Sequence, residues 1–174
     1  MRINLAAGKI RIRPLETEDW KSVLAIYLQG IATGQATFET TAPSWEKWDA
    51  GHLSFARLAA VSEDDGRLAG WAALSPVSSR PVYSGVAEVS VYVADDFRAR
   101  GVGGALLDCL IKTSEDNGIW TLQASVFPEN VRSMALHEKR GFREIGVRER
   151  IAKLNGVWRD TVLLERRSKI IGVE

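Results

Sequence analysis

Seven consecutive residues set the chemistry to be looked for. In Arg98-Ala99-Arg100-Gly101-Val102-Gly103-Gly104, two arginines and three glycines precede Ala105-Leu106-Leu107-Asp108-Cys109-Leu110-Ile111, whose apolar spacing is helical. A glycine-rich turn that opens a helix brings backbone N–H groups close to an anion. Helix N-termini add unpaired donors and a partial positive charge, which suits phosphate. Three patterns compete for the turn. A P-loop needs Lys-Ser/Thr after the last glycine, where Ala105-Leu106 stand. The dinucleotide fingerprint G-x-G-x-x-G fits Gly101 and Gly103 but meets Leu106 at its third glycine, and no N-terminal βαβ unit supports it. The pattern Arg/Gln-x-x-Gly-x-Gly/Ala is met completely. Upstream, Val86, Glu88, Ser90 and Tyr92 share one face of an alternating stretch, and Ala87, Val89, Val91 and Val93 share the other. Glu88 therefore opposes a uniformly apolar face.

The elements that must position these residues follow from hydrophobic period and turn signals. Strands are predicted over 10–14, 55–62, 68–74, 86–93, 120–126, 143–154 and 157–165. Asp64-Asp65-Gly66 and Asn155-Gly156 read as hairpin turns. Helices are predicted over 18–32 with Thr17 as N-cap, over 45–53 after Pro43-Ser44, from the glycine turn to Asn117-Gly118, and from Asn130 through Arg140 with Gly141 as C′. The order β-α-α-β-β-β-α-β-α-β-β predicts an α/β (α+β) architecture, a mixed central sheet flanked by helices.

Length and composition bound the function. The 174 residues, 45% hydrophobic and 26% charged, suit one domain over 1–174. Lys+Arg (23) nearly balances Asp+Glu (22), against a partner bound by neutralising phosphates, so no nucleic acid is expected. No apolar run approaches a membrane span and residues 1–14 alternate with charge, unlike a secretory signal, so no membrane partner is expected and the location is read as cytoplasmic. Cys109 is the single cysteine. With His52 and His137 as the only histidines, no disulfide and no metal site are expected. Among the six tryptophans, Trp45, Trp48 and Trp158 are candidates for a pocket or an interface, whereas Trp71 and Trp120 read as ordinary strand residues.

The turn resembles motif A of the GNAT superfamily of acetyl-CoA-dependent N-acetyltransferases. Some thirty residues later, Asn130…Ser133…Leu136-His137-Glu138-Lys139-Arg140-Gly141-Phe142 is similar to that family's second coenzyme A motif. Ala36-Thr37-Phe38-Glu39, Ser75-Pro76 with Arg80 and Tyr83, Glu88-Val89-Ser90-Val91-Tyr92-Val93 and Gly156-Val157-Trp158-Arg159-Asp160-Thr161 resemble the phosphinothricin / methionine sulfoximine acetyltransferase group, over about residues 10–167. The resemblance implies the GNAT acyl-CoA N-acyltransferase fold and acetyl-CoA as cosubstrate. It implies acetyl transfer to the α-amino group of small amino-acid analogues such as phosphinothricin, methionine sulfoximine and methionine sulfone. Other amines (a polyamine, an aminoglycoside, a protein N-terminus) and a non-catalytic acyl-CoA sensor stand as alternatives.

The resemblance also implies roles. Residues 99–104 would cradle the coenzyme pyrophosphate, with Arg98 and Arg100 at its rim. The backbone of Val91, Tyr92 and Val93 would carry the pantetheine arm. Asn130 and Ser133 would bind the coenzyme, Asn130 also serving as N-cap. Glu88 would take the amine's proton, directly or through water. His137 stands where many members carry a tyrosine, and would protonate the leaving thiolate or orient the amine. Arg80 offers a bidentate fork to the substrate carboxylate. Phe38, Tyr83 and Trp158 would wall the pocket. A homodimer is implied as well.

Overall fold

The computed structural model describes residues 1–173; Glu174, the last residue of the expected domain, lies outside them. The strands are β1 (Arg2–Leu5), β2 (Gly8–Pro14), β3 (Leu58–Ser62), β4 (Leu68–Pro76), β5 (Val86–Val93), β6 (Thr121–Val126), β7 (Arg143–Leu154) and β8 (Val157–Arg167). The helices are α1 (Trp20–Ala32), α2 (Trp45–Gly51), α3 (Val102–Asp116) and α4 (Val131–Glu138). All eight strands form one sheet in the order β1-β2-β3-β4-β5-β6-β8-β7. Every neighbouring pair is antiparallel except β5 and β6, which α3 connects in parallel.

The expected mixed sheet between helices is present. Residues 68–74 of β4 are buried at every position, because helices cover both faces of the sheet there. On one face Trp71 meets Tyr27 of α1 at 6.1 Å and Trp48 of α2 at 5.7 Å, both edge-on. On the other, Gly70 lies under Leu106 of α3. α3 buries Val102, Ala105, Leu106, Leu107, Leu110 and Ile111 on one stripe. α4 lies beside its first turn. No helix among the described residues is long and apolar enough to cross a membrane.

Several boundaries differ from the sequence-based expectation, each for a local reason. Residues 2–5 form an additional strand that pairs with β2 from Arg2↔Arg11 to Leu5↔Gly8. Its Ala6-Ala7 turn carries no Asn-Gly or Asp-Gly signal and is closed by Gly8 at φ +94°. Thr17 is not the cap of α1. A 3-10 turn over Thr17–Asp19 precedes the helix, and the Asp19 carboxylate accepts from the Glu16 N–H at 2.9 Å. Arg13 of β2 grips that carboxylate at 2.6 and 2.8 Å, holding Asp19 below the usual carboxylate range and joining β2 to α1. Trp48 is no pocket residue: it is buried among Trp20, Trp45, His52 and Trp71. Trp120 precedes β6 and lies against Gly85, where a Cβ would come within 2.1 Å of its ring. The Asn155-Gly156 turn does have the left-handed pair of a type I′ hairpin, at φ +49° and +81°.

Gly70 tests the packing of the central strands. A Cβ there would sit 2.7 Å from the Tyr92 carbonyl oxygen and 3.1 Å from Leu106 Cδ1. Backbone cannot yield as a side chain does, so Gly70→Ala is expected to lower the urea-unfolding free energy by about 1–3 kcal/mol.

Candidate active site

The two parallel strands part almost at once. β5 pairs with β6 only at Val86↔Thr121, Ala87↔Leu122 and Glu88↔Gln123, while β4 pairs with β5 as far as Val93. β6 in turn pairs with β8 along its whole length. Each arm keeps an antiparallel partner on its outer side and opens on the inner one. The Ala94 N–H donates to the Ala69 carbonyl at 2.9 Å. Main-chain groups alternate along a strand, so those of Glu88, Ser90 and Tyr92 also turn to β4. Those of Val89, Val91 and Val93 turn into the split. The Tyr92 backbone is thus used inside the sheet, and the open rail consists of its odd-numbered neighbours. Arg98 Nε donates to the Val93 carbonyl at 3.3 Å, leaving the Val93 N–H and both groups of Val91 facing the opening.

At the wide end of the split lies the start of α3. Gly101 occupies the N-cap at φ +94° with no side-chain cap, and Ala99 is left-handed at φ +59°. A left-handed alanine costs of the order of 1 kcal/mol. The first intrahelical bond runs from the Ala105 N–H to the Gly101 carbonyl at 3.1 Å, so the N–H groups of Val102, Gly103 and Gly104 have no intrahelical acceptor. Three glycines serve three purposes. Gly101 supplies the positive φ. Gly103 lets Val93 and Leu136 close in, with Val93 Cγ2 3.4 Å from where a Cβ would stand. Gly104 admits Arg140, whose Nε donates to the Gly104 carbonyl at 3.1 Å and pairs with Asp108 at 3.0 Å, locking α4 to α3.

The turn is braced from behind. Arg98 is folded back onto Asp95 at 2.7 Å, so its charge is spent within the loop, while Arg100 stays exposed at the rim. Arg67 pairs with Asp65 and Asp96, each at 2.6 Å, and lies 5.1 Å from the Phe97 ring centroid. The same guanidinium holds the Asp65 carboxyl down to about 2.

At the narrow end, Glu88 is half-buried and its carboxylate makes no hydrogen bond or ion pair among the described residues. It shares its face with Tyr92, whose ring stacks on Trp71 at 4.8 Å and meets Tyr27 edge-on at 4.9 Å. Burial raises the Tyr92 phenol well above its usual range, so it stays protonated. From Glu88 to Val93 is about 17 Å of extended strand. Arg80 and Tyr83 stand on the loop joining β4 to β5 at the Glu88 end. Both are exposed, and the Arg80 guanidinium lies 5.5 Å from the Tyr83 ring with no acidic partner among the described residues. Phe38 meets Phe127 edge-on at 4.8 Å at the opening. Trp158 is 54% exposed and lies beside Lys153 at 4.8 Å, away from Phe38. Its neighbour Arg159, on the opposite face of β8, reaches Gly34 and Glu129 instead.

The second motif forms α4 and its cap. Asn130 Oδ1 accepts from the Ser133 N–H at 3.2 Å and its Nδ2 donates to the Gln35 carbonyl at 3.1 Å, so its amide is engaged at both ends within the chain. His137 is 4% exposed and packs edge-on against Phe142 at 5.0 Å. Its Nδ1 lies 2.8 Å from the Ser133 carbonyl, which can only accept, so Nδ1 carries the proton and Nε2 is an acceptor in the neutral ring. Burial pushes the imidazole pKa down. Its Nε2 is buried and has no hydrogen-bond partner among the described residues. Among the described residues, no cluster of three or more His, Cys, Asp or Glu side chains is placed to hold a metal ion.

Comparison with known proteins matches residues 16–142 to the family model described as "Acetyltransferase (GNAT) family". Phosphinothricin N-acetyltransferase of Alcaligenes faecalis is 33% identical over 168 residues, covering 94% of this chain and 85% of that protein. L-methionine sulfoximine/L-methionine sulfone acetyltransferase of Pseudomonas paraeruginosa is 27% identical over 158 residues, covering 88% and 92%. The crystal structure of a GNAT superfamily phosphinothricin acetyltransferase from Sinorhizobium meliloti in complex with acetyl-CoA superposes with a TM-score of 0.81 at 27% identity, covering 91% of this chain and 88% of that one.

Two measurements probe the site as described. Gly101→Ala forces a side chain into φ +94°, and is expected to weaken acetyl-CoA binding by about tenfold in calorimetry. Buried His137 and half-buried His52 both have lowered pKa, so the unfolded chain binds more protons below the ordinary value of 6.5. Their contribution to stability is whole above pH 6.5 and is lost as pH falls toward the lowered folded values. Urea unfolding from pH 7.5 downward should show this loss, with a shallower slope in His137→Gln.

Proposed function

The chain belongs to the acetyltransferase (GNAT) family and is an acetyl-CoA-dependent N-acetyltransferase, and from that premise we propose that its acceptors are small amino-acid analogues of the phosphinothricin, methionine sulfoximine and methionine sulfone kind, acetylated on the α-amino group. The observation that carries the reading is the split between β5 and β6, with the α3 N-terminus at one end and Glu88 at the other. The residues present fit acetyl-CoA: the free N–H groups of the turn suit its pyrophosphate, and the open edge at Val91 and Val93 suits the amides of its pantetheine arm.

The thioester supplies an activated acetyl carbonyl, to which the amine nitrogen bonds as the carbon–sulfur bond breaks. The residues of the chain do the rest. Residues 99–104 hold the pyrophosphate through main-chain donors and the helix dipole, with Arg100 at the rim. The Val91 and Val93 backbone aligns the arm, and an N–H on this edge faces the developing oxyanion. Glu88 accepts the proton that the ammonium must lose. His137, whose buried Nε2 has no partner among the described residues, is the candidate for protonating the leaving thiolate or orienting the amine. Arg80, unpaired on the loop at the Glu88 end, takes the substrate carboxylate. Phe38 walls the acceptor side. Tyr83 and Trp158 are too exposed to wall a closed pocket within one chain. Trp158 and the exposed apolar residues Ile145, Val147, Ile151 and Val157 of the outer hairpin support a homodimer. A lone cysteine with no disulfide framework fits a cytoplasmic enzyme.

Release of coenzyme A thiol across a panel of amines tests the substrate class. Methionine sulfone, methionine sulfoximine and phosphinothricin should turn over, and polyamines should not. Glu88→Gln is expected to lower kcat by about 10²–10⁴-fold with acetyl-CoA affinity unchanged. An unaltered rate would remove Glu88 as the base.

A further inference from the structure

The segment between α1 and α2 is held from both sides of the split. After α1 the chain turns at Gly34, at φ +63°, and runs without regular structure to residue 44. From the β5 side, the Tyr92 hydroxyl donates to the Ala36 carbonyl at 3.4 Å, and Tyr27 and Thr37 join hydroxyls at 3.3 Å. From the other side, Asn130 Nδ2 donates to the Gln35 carbonyl at 3.1 Å and Arg159 Nη1 to the Gly34 carbonyl at 3.2 Å. Phe38 closes on Phe127 next to them. Residues 34–38 therefore bridge two arms that share only three strand pairs, on the face to which Glu88, Ser90 and Tyr92 point.

Arg159 is itself held by two further contacts. Its side chain is 20% exposed, its Nη2 pairs with Glu129 at 3.1 Å, and its guanidinium lies 4.3 Å from the Phe127 ring centroid. Ion pair, ring contact and carbonyl bond together fix the plane of the fork, so Nη1 is aimed at Gly34 before any ligand arrives. Among the described residues, the cosubstrate elements, the α3 turn and the odd-numbered edge of β5, make no side-chain bond to it. The geometry points to Arg159 as a positioning residue for the acceptor: it latches residues 34–38 across the split, completing the wall against which the amine substrate binds. The inference rests on the acetyltransferase reading given above.

The latch acts through a backbone carbonyl, so it is tested on Arg159 itself. Arg159→Ala is expected to raise the amine KM by about tenfold, the loss of one hydrogen bond from a charged donor, with kcat and acetyl-CoA affinity within about twofold. Amide exchange in residues 34–38 should quicken by about tenfold while the α3 turn keeps its protection. Arg159→Lys, which keeps a cation within reach of the Gly34 carbonyl, should recover part of both effects. Unchanged exchange in Arg159→Ala overturns the latch. An equal rise in KM for both substrates overturns the assignment to the acceptor. If wild-type protein binds acetyl-CoA but acetylates no amine, the acceptor role falls together with the reading beneath it, and exchange, which needs no turnover, still decides whether Arg159 holds the segment.

Discussion

Three strand pairs between β5 and β6 govern this protein. Beyond Glu88 and Gln123 the two strands lose each other, and nothing in the sheet replaces the missing ladder. Main-chain donors and acceptors left open on a partly buried edge cost about 1–3 kcal/mol each unless water or a ligand meets them. The fold tolerates this because β4 and β8 keep the outer sides of both strands fully paired. A single interrupted ladder thus creates a slot with two extended walls and a floor where the strands rejoin.

The rest of the architecture maintains that slot. α3 must begin at its wide end, and the glycines there let Val93, Leu136 and Arg140 crowd in while the first-turn N–H groups stay free. Arg67, Arg98 and Arg140 are each tied to carboxylates that steady the turn or the helices around it, so these basic side chains around the α3 turn are mainly structural. A protein of net charge +1 needs no basic surface to hold a polyanion when donors are focused at one helix end. On the opposite face, Tyr27, Trp71 and Tyr92 form a rigid aromatic floor beneath α1, continuous with Trp48 and His52. Four of the six tryptophans belong to this packing (Trp20, Trp45, Trp48 and Trp71), which accounts for most of a count that composition alone left unexplained.

Local signals in the sequence were reliable where a residue's own backbone demanded them. The Asn155-Gly156 hairpin, the glycine turn into α3, the Gly141 end of α4 and the alternation of β5 are all present at or near the expected residues. Signals that depended on a partner distant in sequence were not. Thr17 looks like a cap, yet Asp19 stands at the start of α1, its carboxylate closing the preceding 3-10 turn on the Glu16 N–H while Arg13 on another element holds it in place. Asn130 caps α4 as its position suggests, but its second bond, from Nδ2 to the Gln35 carbonyl 95 residues away, has no local signal. Trp158 and Arg159 are adjacent and chemically conspicuous. Alternation says that they point opposite ways but not which one faces the opening.

Sequence alone determined the glycine-rich turn that opens α3, the carboxylate opposite an apolar strand face, the element order and, through the resemblance these carry, the family. Period, turn chemistry and helix ends are properties of neighbouring residues, so they can be read along the chain. The tertiary structure decided which groups are free to act. It assigned the open backbone to Val91 and Val93 instead of Tyr92, put the His137 proton on Nδ1 against the Ser133 carbonyl, and turned Arg159 inward and Trp158 out. Each choice is a competition among partners brought together from distant parts of the chain, and only the packed sheet and its split specify who those partners are.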